Sequence, residues 1–298
     1  MSRMEAHTPV LLEECMEGLA LKAGGIYVDA TYGSGGHTRE LLRRLQGGRV
    51  IAFDQDEDTG RYKIADDRLT LVHQNFRYLR RMLRYLNVVV VDGVLADLGV
   101  SSMQLSDAQR GFSYRWNGPL DLRMSRQTPL TAAALLAQST EEQLHAVFSR
   151  YGEVRNARTL ARAIVRRRQH RPIQSVADFM EILRRCVRGN PHRYYAQAFQ
   201  ALRIAVNDEL EALKEFLLQT LEVLRSGGRL VVISYHSLED RIVKRFMHTG
   251  EVDIVSDKSG KEQRPFRLIT RRVVVPSAGE RANNPRARSA RLRIAEKR

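Results

Sequence analysis

The sequence lacks the features that mark membrane, secreted and zinc-binding proteins. Its 298 residues include two cysteines, Cys15 and Cys186, which lie far apart without C-x-x-C spacing. This excludes a disulfide framework and a zinc site. No run of about 18 apolar residues occurs, and no targeting peptide is visible. We therefore expect a reducing, cytoplasmic setting, no membrane partner and no bound metal.

Negative charge is scarce in two segments of the chain. Residues 108–206 contain 17 arginines, no lysine and 6 acidic residues, and residues 258–298 contain 13 basic and 3 acidic residues. The remainder is mildly acidic, so the net charge of +15 comes from these two segments. A generally basic, solvated surface would spread the surplus evenly. The uneven distribution favours a catalytic core with attached phosphate-binding surfaces.

Residues 26–37 have the pattern of a buried strand that runs into a glycine-rich turn. Gly33, Gly35 and Gly36 can adopt backbone angles closed to other residues and let the main chain approach a ligand. A helix beginning near Thr38 would direct its free N–H groups at the same place. The pattern predicts a site for a nucleotide-like ligand.

The glycine spacing differs from the dinucleotide fingerprint G-x-G-x-x-G, because the last position is Thr38. A pyrophosphate ligand is therefore disfavoured. Asp54 ends the apolar run of residues 50–53, at about the distance expected for an acid that binds ribose hydroxyls. Adenosine without pyrophosphate indicates S-adenosylmethionine as the cofactor.

Strand and helix patterns alternate through the first hundred residues. Strands are predicted at 26–30, 49–53, 69–73 and 93–97, and helices at 38–46, near 57–65 and at 77–86. This alternation is typical of an α/β fold with a parallel sheet.

The alternation is interrupted from Leu105 to about Ala205, where the periodicity is helical and Thr140 and Ser175 are start signals. It resumes with a helix capped by Asn207 and a strand at 229–234. Runs at 268–275 and 290–295 would add an antiparallel end to the sheet. The predicted domains are a discontinuous core of residues 1–107 and 207–298 and an inserted helical, arginine-rich substrate domain of residues 108–206.

Chemistry is expected at the carboxyl ends of the strands, where doubly wound sheets bind ligands. Those ends carry Gly33–His37, Asp54, Phe76, Asp97-Leu-Gly-Val-Ser-Ser and Ser234-Tyr-His-Ser. One aspartate alone is as readily a helix cap, but several polar groups at one edge favour a site. We interpret His37 as a backbone-binding residue of the turn. His236 is either structural or a titrating group that faces a substrate.

Two arginine clusters are candidates for phosphate binding, since the guanidinium fork suits bidentate contact with phosphate. A solvated helix face is the alternative for the first of them. The first cluster recurs at helical spacing opposite an apolar face and consists of Arg155, Arg158, Arg162 and Arg166, extended by Arg167 and Arg168. The second is in the tail and contains Arg286 and Arg288.

Several motifs together resemble the bacterial methyltransferases that use S-adenosylmethionine to modify the N4 amino group of a cytosine in 16S ribosomal RNA. The matching stretches span residues 7–289. They are His7-Thr-Pro-Val-Leu-Leu, Asp29-Ala-Thr-Tyr-Gly-Ser-Gly-Gly-His, Asp97-Leu-Gly-Val-Ser-Ser, Arg110-Gly-Phe-Ser, Gly118-Pro-Leu-Asp-Leu-Arg-Met, Phe199-Gln-Ala-Leu-Arg-Ile, His236-Ser-Leu-Glu-Asp-Arg and Asn284-Pro-Arg-Ala-Arg-Ser.

The resemblance implies a Rossmann-like class I methyltransferase core with an inserted all-helical domain, and ribosomal RNA within the small subunit as partner. It implies cofactor contacts at Gly35, Gly36, His37, Asp54, Phe76, Asp97 and Gln104, with Phe76 against adenine. Asp97 is the first candidate to accept a hydrogen bond from the cytosine amine, and His236 and Ser102 are the alternatives. Both a monomer and a homodimer are compatible with the sequence.

Other classes of function remain open on the sequence alone. Methylation of DNA or protein would use the same core. A non-catalytic ribosome-assembly factor would bind RNA without methyl transfer, although the intact glycine turn argues against it. A nicotinamide-dependent dehydrogenase would need pyrophosphate contacts, and Thr38 argues against them.

Overall fold

The computed structural model describes residues 9–253 and 264–298. The first two residues of the His7 motif lie outside this range. The chain divides into two compact units, Met1–Gly99 with Leu210–Arg298, and Val100–Glu209. Each unit has its own apolar core.

The first unit contains a seven-stranded sheet in the order β3-β2-β1-β4-β5-β7-β6. Strands β1 to β5 pair in parallel, and β7 is antiparallel to both of its neighbours. The predicted α/β class and antiparallel end are confirmed. The strands are β1 Ile26–Asp29, β2 Arg49–Phe53, β3 Leu69–Val72, β4 Val91–Asp97, β5 Leu224–Ser234, β6 Phe266–Leu268 and β7 Arg291–Lys297.

Apolar residues cover both faces of this sheet, as expected for parallel strands buried on two sides. Val28 and Ile51 belong to one cluster, and their chain neighbours Tyr27 and Val50 belong to another, because successive strand residues point to opposite faces. The helices of this unit are α1 Leu12–Leu19, α2 Gly36–Arg44, α3 Leu79–Tyr85, α10 Glu209–Val223, α11 Ser237–Thr249 and α12 Ala278–Asn283.

The second unit is helical. Thr140 and Ser175 cap the helices Glu141–Arg150 and Val176–Cys186 through reciprocal side-chain and backbone bonds, so both predicted start signals are confirmed. Phe148, Phe179 and Leu202 lie in the core that these helices enclose. The helices are α4 Ser102–Ser106, α5 Ala132–Gln138, α6 Glu141–Arg150, α7 Ala157–His170, α8 Val176–Cys186 and α9 Pro191–Asn207.

Three local predictions are wrong. Asn207 ends α9 instead of capping the next helix, and its amide donates to the carbonyl of Leu122 at 2.7 Å. The run 268–275 forms only the end of β6 and a single bridge from Val274 to Leu292. The helix expected near 57–65 is a six-residue 3-10 helix, Glu57–Tyr62. In the first two cases a contact with a residue distant in sequence, Leu122 for Asn207 and Leu292 for Val274, outweighs the local capping or strand preference.

Candidate active site

The glycine turn joins β1 to α2 and is held by a buried carboxylate. Asp29 accepts hydrogen bonds from the Thr31 N–H at 3.1 Å and from the Thr38 hydroxyl at 2.6 Å. Gly33 and Gly35 have φ angles of 55° and 76°, which glycine tolerates. Thr38, which stands where the dinucleotide fingerprint has its last glycine, thus helps to hold the turn in place. Helix α2 begins two residues earlier than predicted, at Gly36.

Asp54 follows β2 and reaches the same turn. Its carboxylate accepts the N–H of Gly33 at 2.7 Å and the N–H of Asp56 at 2.9 Å. Burial raises the pKa of Asp54 to about 7, although these two bonds oppose the shift. The acid predicted for ribose hydroxyls is therefore held beside the first glycine.

Phe76 follows β3 and is half-buried. Its ring packs edge-on against Phe216, with 5.1 Å between ring centroids. Phe76 thus packs against the core cluster of the sheet without being fully buried.

Asp97 ends β4, and its side chain is 24% exposed. Its Oδ1 accepts a hydrogen bond from the Tyr235 hydroxyl at 2.7 Å, and its Oδ2 lies 3.8 Å from His37 Nδ1. The N–H of Asp97 donates to the Thr31 hydroxyl at 2.7 Å. Burial raises the pKa of Asp97 to about 6, against the lowering effects of His37 and Tyr235. The carboxylate is thus tied to the glycine turn and to the end of β5.

Tyr235 is the residue of this cluster that the sequence interpretation missed. It directly follows β5, so the strand-end argument applied to Asp54 and Asp97 covers it too. Burial and the neighbouring Asp97 both raise the pKa of its phenol, which keeps the hydroxyl protonated as a donor.

The two histidines differ in their surroundings. His37 is 6% exposed, and its Nε2 donates to the carbonyl of Val10 at 3.0 Å, which agrees with the expected backbone role. His236 caps α11: its Nδ1 accepts the Glu239 N–H at 3.4 Å, and its Nε2 lies 3.2 Å from the Glu239 carboxylate.

Ser102 and Gln104 belong to the second unit, in the first turn of α4. Ser101 caps this helix, and the Gln104 side chain accepts the Ser101 N–H at 3.1 Å. Gln104 is buried and Ser102 is half-buried.

Four of the six predicted helical arginines, Arg155, Arg158, Arg162 and Arg166, are exposed. The extension of this cluster to Arg168 is wrong, because Arg168 donates to the carbonyls of Leu136 and Ser139 within the unit. Arg167 likewise donates to the carbonyl of Arg171. Arg168 therefore ties α7 to the C-terminal end of α5, whereas the Arg167 bond is local to the C-terminus of α7.

In the tail, Arg286 and Arg288 are exposed on the 3-10 helix Pro285–Ser289. The arginines of β7 differ. Arg291 and Arg293 form ion pairs with Asp240 of α11 at 3.1 and 2.7 Å, although the Arg291 side chain is still 49% exposed.

The strand-end residues of the first unit fit a nucleoside ligand. The backbone of the turn has no room for added carbon atoms, since a Cβ on Gly35 would lie 2.7 Å from the Tyr32 hydroxyl. Asp54 offers a carboxylate acceptor and Phe76 an aromatic ring, the groups that would suit the ribose and the base of such a ligand. With the antiparallel β7 between β5 and β6, this fold and site define a class I S-adenosylmethionine-dependent methyltransferase.

Comparison with known proteins gives the family. The model of the MraW methylase family matches residues 4–298, and the chain belongs to that family. The "Ribosomal RNA small subunit methyltransferase H" of Bacteroides thetaiotaomicron is 50% identical over 98% of this chain and 97% of its own length. The protein of the same name from Cytophaga hutchinsonii is 49% identical over 98% and 99%. The solved structure of an rRNA methylase from Streptococcus thermophilus is 14% identical, with a TM-score of 0.43 over 98% of this chain and 99% of that one.

Within the part of the chain that the structure describes, no helix is long and apolar enough to cross a membrane.

Proposed function

We propose that the protein transfers a methyl group from S-adenosyl-L-methionine to the N4 amino group of a cytosine in 16S ribosomal RNA, within the small subunit and in the cytoplasm. Near-full-length relatives named as small-subunit ribosomal RNA methyltransferases support the substrate. The observation that carries the chemistry is the Asp97 carboxylate, held at the edge of the glycine turn by Tyr235.

The cofactor site consists of Gly33, Gly35, Gly36, His37, Asp54, Phe76, Asp97 and Gln104. The turn backbone approaches the ligand, Asp54 binds the ribose and the open part of the Phe76 ring lies against adenine. His37 fixes the turn through Val10. The assignment of Gln104 rests on the family resemblance, and its place in the α4 cap makes it a rigid donor and acceptor.

The cofactor supplies an electrophilic methyl carbon, so the protein's task is to place and activate the amine. The amine lone pair is conjugated with the cytosine ring, and an acceptor on its N–H makes it more nucleophilic. We assign this role to Asp97 Oδ2, because Tyr235 occupies Oδ1. The N–H proton passes to this carboxylate as the nitrogen–carbon bond forms, and the electron pair of the broken sulfur–methyl bond would stay on the departing sulfur. Ser102 and His236 remain the alternative acceptors, but the capping contacts of His236 make it less available.

RNA binding is assigned to the exposed arginines of both clusters, Arg155, Arg158, Arg162 and Arg166 in the second unit and Arg286 and Arg288 in the tail. Exposed guanidinium groups bind phosphates and release counterions. The target base leaves its stack to reach the acceptor. The protein acts as a monomer or a homodimer.

The test is transfer of labelled methyl to small subunits that lack their own modification, followed by nucleoside analysis. We expect N4-methylated cytidine from the wild type, its loss in Asp97→Ala, and unchanged transfer in Asp253→Ala, whose carboxylate is 67% exposed. Cofactor binding without transfer to the subunits would refute the proposal and direct the search to DNA or protein. Full turnover by Asp97→Ala would refute the assigned acceptor.

A further inference from the structure

The only tryptophan of the chain, Trp116, lies outside the apolar cores, and 58% of its surface is exposed. An indole is among the largest apolar groups that a protein can bury. Tryptophan is highly buried on average, so an indole with more than half of its surface exposed is uncommon. Packing within the apolar cores therefore does not account for its position.

The loop that carries Trp116 is closed at both ends. A Cβ on Gly111 would lie 2.4 Å from the Pro119 carbonyl oxygen, and one on Gly118 would lie 2.0 Å from the Ala108 carbonyl oxygen. Close backbone contacts thus leave the loop little freedom.

Hydrogen bonds with residues 174–177, at the start of α8, also hold this loop. The N–H of Val176 donates to the Gly118 carbonyl at 2.9 Å, and the N–H of Leu120 donates to the Gln174 carbonyl at 2.8 Å. The Asn117 side chain accepts the N–H of Ala177 at 3.1 Å. An exposed indole on a fixed backbone loses little conformational entropy when it binds a ligand.

The charge around Trp116 indicates the class of ligand. Arg115 is exposed and has no carboxylate partner among residues 9–253 and 264–298. The surrounding segment 108–206 carries a surplus of arginine over acidic residues, 17 against 6. This surplus disfavours a basic protein partner and favours a polyanion.

We infer that Trp116 is a stacking surface for an unpaired base of the RNA substrate and that Arg115 binds an adjacent phosphate. Proteins recognise single-stranded RNA by stacking its bases on aromatic rings beside cationic groups. This inference rests on the proposed function and adds to it a contact outside the cofactor site and outside both arginine clusters.

The experiment uses the full-length protein and the emission of its single indole. Protein-free small-subunit RNA contains no tryptophan, so any change in emission comes from Trp116. We expect saturable quenching by this RNA and none by inorganic polyphosphate, which has phosphates but no bases. Binding is followed independently by the anisotropy of labelled RNA.

Variants separate stacking from charge. Trp116→Ala should weaken RNA binding roughly tenfold, the effect of losing one base–aromatic stack. Trp116→Phe should retain most of the affinity. Tyr85→Ala is the matched control, because Tyr85 is an aromatic residue 79% exposed in the first unit. On small subunits, Trp116→Ala should raise KM and leave kcat unchanged.

The outcomes distinguish this inference from the proposed function. The stacking role alone would be overturned if the wild type bound RNA and transferred methyl groups without any change in indole emission, and Trp116→Ala kept the wild-type KM. Absence of both RNA binding and methyl transfer in the wild type would overturn both proposals.

Discussion

The hydrogen bond from Tyr235 to Asp97 makes a specific prediction about pH dependence. The hydroxyl lies 2.7 Å from Asp97 Oδ1 and stabilises the ionised carboxylate, so it lowers the pKa of Asp97. Burial raises the same pKa more strongly, and the net result is a pKa of about 6. Tyr235→Phe keeps the ring and removes the donor. The pKa of Asp97 should therefore rise further.

The size of the shift follows from the bond. A hydrogen bond to a charged acceptor contributes about 1.5–3 kcal/mol, and part of this remains when the acid is neutral. If the bond stabilises the ionised form over the neutral form by about 1.4 kcal/mol, its loss raises the pKa by about one unit. The pKa of Asp97 would then move from about 6 to roughly 7, and the ionised fraction at about pH 6.5 would fall roughly threefold.

The assay is the pH profile of kcat/KM for the cofactor at saturating RNA, since this parameter reports the pKa values of the enzyme form without cofactor. In the role proposed for it, Asp97 acts as the ionised carboxylate, so we expect activity to fall as pH drops through its pKa. In Tyr235→Phe the acidic limb should shift upward, and activity should return to near wild type at about pH 8.5. Tyr85→Phe, which removes an exposed hydroxyl, should leave the profile unchanged.

A uniform loss of activity at every pH, with the acidic limb in place, would refute this reasoning. Tyr235 would then support the fold without tuning the carboxylate. A limb that moves to lower pH would contradict the sign of the effect.

Three further predictions concern the turn, the tail and the arginine surface. Gly35→Ala should abolish cofactor binding in a titration, whereas Gly24→Ala, also at positive φ but with open space around it, should cost only about 1 kcal/mol of stability. Asp240→Asn should lower the free energy of unfolding in urea by about 3 kcal/mol. Burial of the Asp240 carboxyl opposes its ionisation, but Arg293 and Arg291 outweigh this effect and lower its pKa. The stability from these ion pairs is therefore present at neutral pH and is lost as pH falls through the pKa of Asp240 in the folded protein. An intact urea midpoint would contradict it. The double variant Arg158→Gln and Arg166→Gln should lower the salt dependence of RNA binding by about two in log–log slope, and an unchanged slope would exclude these phosphate contacts.

The arrangement of the candidate cofactor site could be predicted because it depends on two simple rules. Alternating apolar strands and helices imply a parallel sheet, and the carboxyl ends of parallel strands meet at one edge. The glycines after β1 and the acids at the ends of β2 and β4 are therefore identifiable in order along the chain. The caps at Thr140 and Ser175 were equally predictable from the sequence, since a capping box involves residues only three apart.

Contacts between distant residues required the tertiary structure. Tyr235 and Asp97 are 138 positions apart, and only the pairing of β4 with β5 brings them together. Arg168 has the same local pattern as its exposed neighbours but donates to carbonyls about 30 positions away.

The sequence by itself determined the class of fold, the glycine turn and the charge of the second unit, because periodicity, backbone freedom and composition are local properties. The tertiary structure decided which polar groups serve the site and which serve the scaffold. The reason is that burial and long-range hydrogen bonds assign a partner to each side chain, and many of those partners are far away in the chain.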